Sequence, residues 1–174
     1  HVMAQKLLRE NNIDAAITAC RDSHKLSPDS IPNNYLLGTL LLKKEELNEA
    51  IEHLTEAYTT AQEESSVSSA PSQAMLGLAI RKKGDSTLDT IERNRLYNQA
   101  EGHLLQAIRN DPHLLSDTYE SYFGVLGSLY RRQGRTADAI AAYERAIQVT
   151  PRRSYPEINL AMLFMDEGDP LKAE

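Results

Sequence analysis

The feature that most constrains this chain is a pattern of small and apolar residues that recurs every 34 residues. Alanine fills one slot at Ala16 and Ala50, and the same slot recurs from Ala139 to Ala173. Within each copy the apolar residues lie three or four apart, which places them on one face of an α-helix. Such a unit cannot bury its apolar face alone, so the pattern predicts an array of helical pairs stacked on one another.

A second small slot follows the same period and holds glycine or alanine: Gly38, Gly77, Gly127 and Ala161. Because a large side chain would hold the paired helix away, both small slots are predicted to lie where two helices cross. Gly84 and Gly134 share a later slot that is predicted to be a turn. Pro28, Pro112 and Pro151 are predicted to end second helices, since proline cannot continue a helix.

The copy from 120 to 153 is the most complete. It carries Phe123, Leu126, Gly127 and Tyr130, followed by Ala139, Tyr143, Ala146 and Pro151. This pattern resembles the tetratricopeptide repeat (TPR), and partial copies extend the resemblance over nearly the whole chain. The resemblance implies an all-α fold, a right-handed α-solenoid of stacked helix-turn-helix TPR units. Abundant leucine and alanine, both strong helix formers, agree with that fold class.

We expect a single solenoid over residues 1–174. Its predicted divisions are a partial repeat 1–30, repeats 31–69, 70–119 and 120–153, and a partial repeat 154–174. The repeats at both ends are incomplete and the chain starts at a histidine, so we expect the native protein to continue beyond them.

The middle repeat carries insertions, because Ala50 and Ala100 are 50 residues apart. About five extra residues fall in the Ser- and Pro-containing stretch 65–72, which predicts a flexible connector. About eleven fall in 85–99, and eleven residues make about three helical turns. This stretch either lengthens the second helix, with Ser86 or Thr87 as its N-cap, or forms a disordered loop. Residues 113–121 are predicted to be a lengthened connector.

Composition and motifs exclude several classes of function. The net charge of −6 argues against a dedicated nucleic-acid binder, and no apolar run is long enough to span a membrane. One cysteine cannot build a disulfide framework or a cysteine-based zinc site. No phosphate loop, HExxH motif or nucleophile elbow is present. We therefore expect no enzyme activity, no cofactor, no metal site and no direct membrane insertion. A soluble protein is expected, cytoplasmic by preference, with the periplasm left open.

The histidines are interpreted as repeat residues. His53 and His103 occupy equivalent slots, predicted to lie on the outer side of second helices, and His24 and His113 have no partner ligand at metal-site spacing. The carboxylates of one helix face are predicted to be solvated: Glu49, Glu52 and Glu56.

In TPR proteins the first helices of successive units line a concave groove that binds peptides. Carried over slot by slot, this resemblance implies a groove that includes Arg9, Tyr35, Thr39, Lys43, Leu78, Arg81, Lys82, Ser128, Arg131, Arg132, Tyr155 and Asn159. One slot is basic in four repeats: Arg9, Lys43, Lys82 and Arg132. This predicts a protein or peptide partner with an acidic segment. The alternative is that these residues complement helix dipoles.

The predicted function is a non-catalytic scaffold that binds a peptide or helix of a partner protein. The carboxylate clamp of chaperone-binding TPR proteins is matched only at Asn159, so binding of chaperone tails is disfavoured. Two alternatives remain. One is a self-assembling homo-oligomer that stacks through its incomplete ends or through 85–99. The other is the recognition arm of a longer enzyme or of a secretion or transport protein.

Overall fold

The computed structural model describes residues 2–10, 12–115, 121–150 and 154–166. These residues form nine α-helices: α1 Val2–Arg9, α2 Ile13–Leu26, α3 Ile31–Lys43, α4 Leu47–Glu63, α5 Ser69–Ser86, α6 Thr90–Asn110, α7 Tyr122–Arg132, α8 Thr136–Val149 and α9 Ser154–Asp166. The only β-type pairing among them is an isolated bridge between Leu115 and Ser121. The predicted all-α solenoid is confirmed.

The helices stack as antiparallel pairs in chain order. α1 packs on α2, α3 on α4, α5 on α6 and α7 on α8, and each second helix also packs on the first helix of the next pair. First helices of neighbouring pairs touch as well, because α3 contacts α5, α5 contacts α7 and α7 contacts α9. Within the described ranges, no such contact joins one second helix to the next. The first helices therefore lie on the inner side of the stack.

The two small slots lie where paired helices cross, as predicted. Ala50, Ala100 and Ala139 have no solvent exposure. A Cβ atom added at the glycine slot would lie 2.5–2.8 Å from a side chain of the partner helix. These pairs are Gly38 with Leu54, Gly77 with Leu104, and Gly127 with Tyr143. Replacing hydrogen by a methyl group here would push the helices apart, so sequence and packing are coupled in every complete pair.

The predicted turn at Gly134 is confirmed, and the one at Gly84 is wrong. Gly134 has a φ of +70° between α7 and α8, a conformation that favours glycine. The same position two repeats earlier is Glu45, with a φ of +62°. Gly84 instead lies inside α5, because that helix continues to Ser86. Its missing side chain makes room for the ring of Tyr97, which a Cβ atom would approach to 2.7 Å.

The insertion in the third pair is largely helical. α6 is 21 residues long and begins at Thr90, so 90–99 extend its N-terminal half. The prediction of Ser86 or Thr87 as its N-cap is wrong, because Thr87 ends α5. The cap is Asp89, whose Oδ1 accepts the backbone N–H groups of Ile91 at 2.8 Å and Glu92 at 2.9 Å. An aspartate satisfies these free donors and also complements the helix dipole.

The predicted loop over 65–72 is shorter than expected. α5 begins at Ser69, so only residues 64–68 connect it to α4. Pro71 lies in the first turn of α5, where a missing N–H breaks no intrahelical bond. The predicted positions Pro151, Gly168 and Ala173 lie outside the described residues, as do residues 116–120 of the second predicted connector. None of the described helices is both long and apolar enough to cross a bilayer.

Candidate functional site

The predicted groove residues lie on the first helices of the pairs. On α3, Tyr35, Thr39 and Lys43 are four residues apart, and on α5, Leu78 and Lys82 repeat that spacing. Residues four apart share one helix face. Since α3 contacts α5 and α5 contacts α7, the predicted positions on these helices come from elements that adjoin one another.

The exposure of these side chains differs. Arg9, Lys43 and Arg132 are exposed, and Tyr35, Leu78, Arg81, Lys82 and Arg131 are half-buried. Thr39, Ser128 and Asn159 are buried, and the side chain of Tyr155 lies outside the described part. The structure therefore divides the predicted set into side chains that solvent reaches and side chains that belong to the packing.

Two of the buried members form hydrogen bonds within the chain. The hydroxyl of Thr39 donates to the carbonyl of Tyr35 at 2.8 Å, one turn earlier in α3. The Ser128 hydroxyl lies 3.2 Å from the hydroxyl of Tyr143, across the α7–α8 crossing. Both groups are satisfied internally, so they hold helices in place and offer little to a partner.

Asp85, at the end of α5, forms ion pairs with two of the predicted basic residues. Its Oδ2 accepts from Arg81 at 2.9 Å, and its Oδ1 accepts from Nε of Arg132 on α7 at 2.6 Å. The Tyr97 hydroxyl on α6 also donates to Oδ1 at 2.9 Å. Burial, followed by the Asp85 carboxylate, raises the pKa of Tyr97. Asp85 thus joins α5, α6 and α7 and offsets part of the basic charge of the groove.

Sequence reasoning missed Asp85. Its spacing of four from Arg81 is a recognisable intrahelical pair. Nothing in the sequence, however, indicated that Arg132 would reach it across the next repeat.

The lysines of the basic slot are in a different position from the arginines. Among the described residues, no ion pair joins Lys43 or Lys82 to an acidic side chain. The neighbouring Lys44 instead pairs with Asp14 of α2 at 2.8 Å, and this hydrogen bond raises its pKa. Lys43 and Lys82 are therefore the positive charges of α3 and α5 that remain open to a partner.

Two stretches of the chain match the tetratricopeptide repeat family, residues 31–64 and residues 122–153. They coincide with the helix pairs α3–α4 and α7–α8. This is a tetratricopeptide repeat protein. No curated protein sequence matches the chain.

Solved structures similar to this TPR protein share its fold at low identity. MamA residues 41 to the end, from Desulfovibrio magneticus RS-1, is 15% identical with a TM-score of 0.76, covering 98% of this chain and 85% of that one. A thermophilic TPR protein of Thermus thermophilus is 21% identical with a TM-score of 0.75, covering 98% and 82%. YrrB, described as a TPR protein with an unusual peptide-binding site, is 16% identical with a TM-score of 0.66, covering 98% and 77%.

One group of side chains in the described part of this TPR protein has the composition of a metal site. It lies between the second helices α2 and α4 and consists of His24, His53 and Glu56. The predictions for two of these residues need correction. His53 is not on the outer surface, since it is only 8% exposed, and Glu56 is not simply solvated, since its carboxylate is 3.2 Å from the His53 ring.

The equivalent His103 is also partly enclosed. Burial lowers its pKa, and its ring meets that of Tyr58 edge to face at 5.9 Å. Both second-helix histidines therefore contact the preceding repeat rather than solvent alone.

Proposed function

We propose that this chain is a non-catalytic protein–protein interaction scaffold whose concave face binds a peptide or helix of a partner protein. The observation that carries the proposal is the run of contacts between first helices, from α3 to α5, α7 and α9. Such a run forms one continuous face along which an extended or helical segment can lie. The peptide-binding site ascribed to YrrB, which shares the fold, supports the same use of this one.

The chemistry of this face favours a partner segment with acidic and apolar residues. Lys43 and Lys82 provide positive charge that no described carboxylate offsets. Tyr35 and Leu78 lie one or two turns before them on the same helices and are half-buried, so they offer apolar contact area. Charge at a rim around apolar anchors guides a partner of opposite sign and fixes its register.

Site-specific photo-crosslinking tests where the partner binds. A photoreactive phenylalanine analogue replaces Leu78 on α5 or, as the matched control, Leu105 on α6, which is 40% exposed on the second helix of the same pair. Crosslinking of a partner in cells is expected from position 78 and not from position 105. Crosslinks from position 105 alone would overturn the assignment of the concave face.

Charge reversal tests the chemistry of the partner once it is captured. The double variant Lys43→Glu and Lys82→Glu is expected to weaken binding about tenfold or more, because each exposed charge contributes up to about 1 kcal/mol. Arg109→Glu, an exposed residue in the last turn of α6, is the control. Equal affinity of all three proteins, measured by fluorescence anisotropy, would contradict an acidic partner segment.

Self-assembly is a second candidate function, favoured by two exposed apolar side chains at the start of the insertion. Leu88 is 95% exposed and Ile91 is 84% exposed. Exposed apolar side chains this close together are suited to a contact between copies. Light scattering over a range of concentrations should show association that Leu88→Ser with Ile91→Ser abolishes. A strict monomer at every concentration would remove this candidate.

A further inference from the structure

Two histidines that are distant in the sequence meet between the first and second repeats. His24 lies in the last turn of α2 and His53 lies in the middle of α4, 29 residues later. Their ring centroids are 4.7 Å apart, with the ring planes at 81°. His53 is buried, whereas the His24 side chain is 25% exposed. The pair therefore has one fixed member and one that solvent can reach.

A carboxylate completes the group. Oε2 of Glu56, one turn after His53 on α4, lies 3.2 Å from Nδ1 of His53 and 3.9 Å from Nδ1 of His24. One ligand atom from each of the three residues lies within 4.8 Å of the others. A tetrahedral zinc ion with bonds of about 2.0–2.1 Å holds its ligand atoms about 3.4 Å apart. Small side-chain rotations, of about 1 Å at the ligand atoms, therefore suffice to reach that geometry.

Neighbouring polar groups orient both rings. Nδ1 of His24 lies 2.9 Å from Oδ1 of Asn34, whose amide nitrogen donates to the carbonyl of Pro28. On the other side, Nε2 of His53 lies 3.9 Å from Glu49. Such outer partners fix the orientation of metal-binding imidazoles and raise their basicity.

Glu49 is itself held in place. Arg21 on α2 donates to its two oxygens at 2.9 Å and 2.7 Å, and this contact lowers the pKa of Glu49. A fixed, ionised carboxylate beside Nε2 leaves Nδ1 of His53 directed at Glu56.

The next repeat interface shows that packing alone does not require these residues. Tyr58 and His103 hold the positions of His24 and His53 there, and their rings again meet edge to face. The position of Glu56 is held by Gln106. The same aromatic contact is thus made with neither the second imidazole nor the carboxylate. Of these two described interfaces, the first alone assembles three metal-binding groups.

We propose that His24, His53 and Glu56 bind a zinc ion, with water as the fourth ligand. Two imidazoles and one carboxylate form a ligand set that suits zinc, whereas magnesium and calcium favour sites built from oxygen ligands. The exposed sides of His24 and Glu56 give the ion a path from solvent. Bound there, the ion joins the second helix of the first pair to that of the second pair. In the described residues these two helices have no backbone-level contact.

Calorimetric titration of the chain with zinc chloride, with magnesium chloride as the comparison, tests the proposal. Saturable binding of one zinc ion and no binding of magnesium are expected. Unfolding followed by circular dichroism should show a Tm that rises with zinc concentration, since the ion binds the folded state. Absence of saturable zinc binding would overturn the proposal.

Variants identify the ligands. Glu56→Gln, which copies the residue at the next interface, should weaken zinc binding at least about 100-fold, since loss of an outer partner alone costs about 10- to 100-fold. His24→Gln should do the same, while His113→Gln, in an exposed connector, should bind as the parent does. The visible absorption of bound cobalt(II) then reports whether the coordination is tetrahedral. Unchanged zinc affinity in Glu56→Gln or His24→Gln would show that the ion binds elsewhere.

Discussion

Substitution of Gly127 by alanine tests whether close approach at the helix crossing holds the stack together. A Cβ atom there would lie 2.6 Å from Cδ1 and Cε1 of Tyr143 and 2.9 Å from its Cζ. Real Cβ atoms do not approach ring carbons so closely, so the ring or the helix must shift. The ring has little room to do so, because Tyr143 has no solvent exposure and its hydroxyl is paired with Ser128.

Two opposing effects set the magnitude. Replacing glycine by alanine inside a helix stabilises it by about 0.5–1 kcal/mol, whereas overpacking a core costs about 1–3 kcal/mol. Gly127→Ala is therefore expected to lose about 1–2 kcal/mol, which lowers Tm by roughly 2–8 °C in a chain of this size.

Gly102 and Gly124 provide matched controls. A Cβ atom at Gly102 in α6 meets nothing within 4 Å, and one at Gly124, in the same helix as Gly127, meets only Ala146 at 3.9 Å. Gly102→Ala is therefore expected to raise Tm by about 1–4 °C, from helix propensity alone, and Gly124→Ala should not lower it. Thermal and urea unfolding, followed by circular dichroism, measure all three variants. A Gly127→Ala protein as stable as Gly102→Ala would refute the reasoning about the crossing.

Three further substitutions test other parts of the fold. Glu45→Gly should raise the free energy of unfolding by about 1 kcal/mol, because Glu45 holds a left-handed φ of +62°; a loss in urea unfolding would contradict this. Asp89→Ala should cost about 1 kcal/mol by removing the N-cap of α6, with Ser86→Ala, within about 0.5 kcal/mol of the parent, as its control. Burial, followed by the charge of Glu101, raises the pKa of Tyr130 from 10.0 to about 12. The unfolded chain then loses this proton first, so the stability that Tyr130 contributes is present below about pH 10 and lost between about pH 10 and 12. Tyr130→Phe should remove that part of the pH dependence, and an unchanged profile would argue against it.

The sequence predicted the repeat architecture because packing repeats with the chain. Each complete pair needs a small residue at its crossing, so alanine and glycine recur at fixed spacing and disclose the fold. The insertion shows where this logic weakens. Its helical character followed from its length, but its N-cap did not, because Ser86, Thr87 and Asp89 are all good capping residues. Only the end of α5 decided among them. The division into five repeats and the role of the groove residues stay predictions.

The sequence by itself determined the all-α solenoid, since local periodicity dictates which faces must be buried and stacking is the only way to bury them. The tertiary structure alone decided which charges remain open and which side chains meet across repeats. The repeat pattern assigned Arg132 to a basic groove, and only the packing of α5 against α7 brought Asp85 beside it. Nothing in the sequence related His24 to His53, and only the approach of α2 and α4 brought their rings to 4.7 Å. Contacts between repeats depend on how far helices rotate and approach, and that geometry is set by the whole stack rather than by any local pattern.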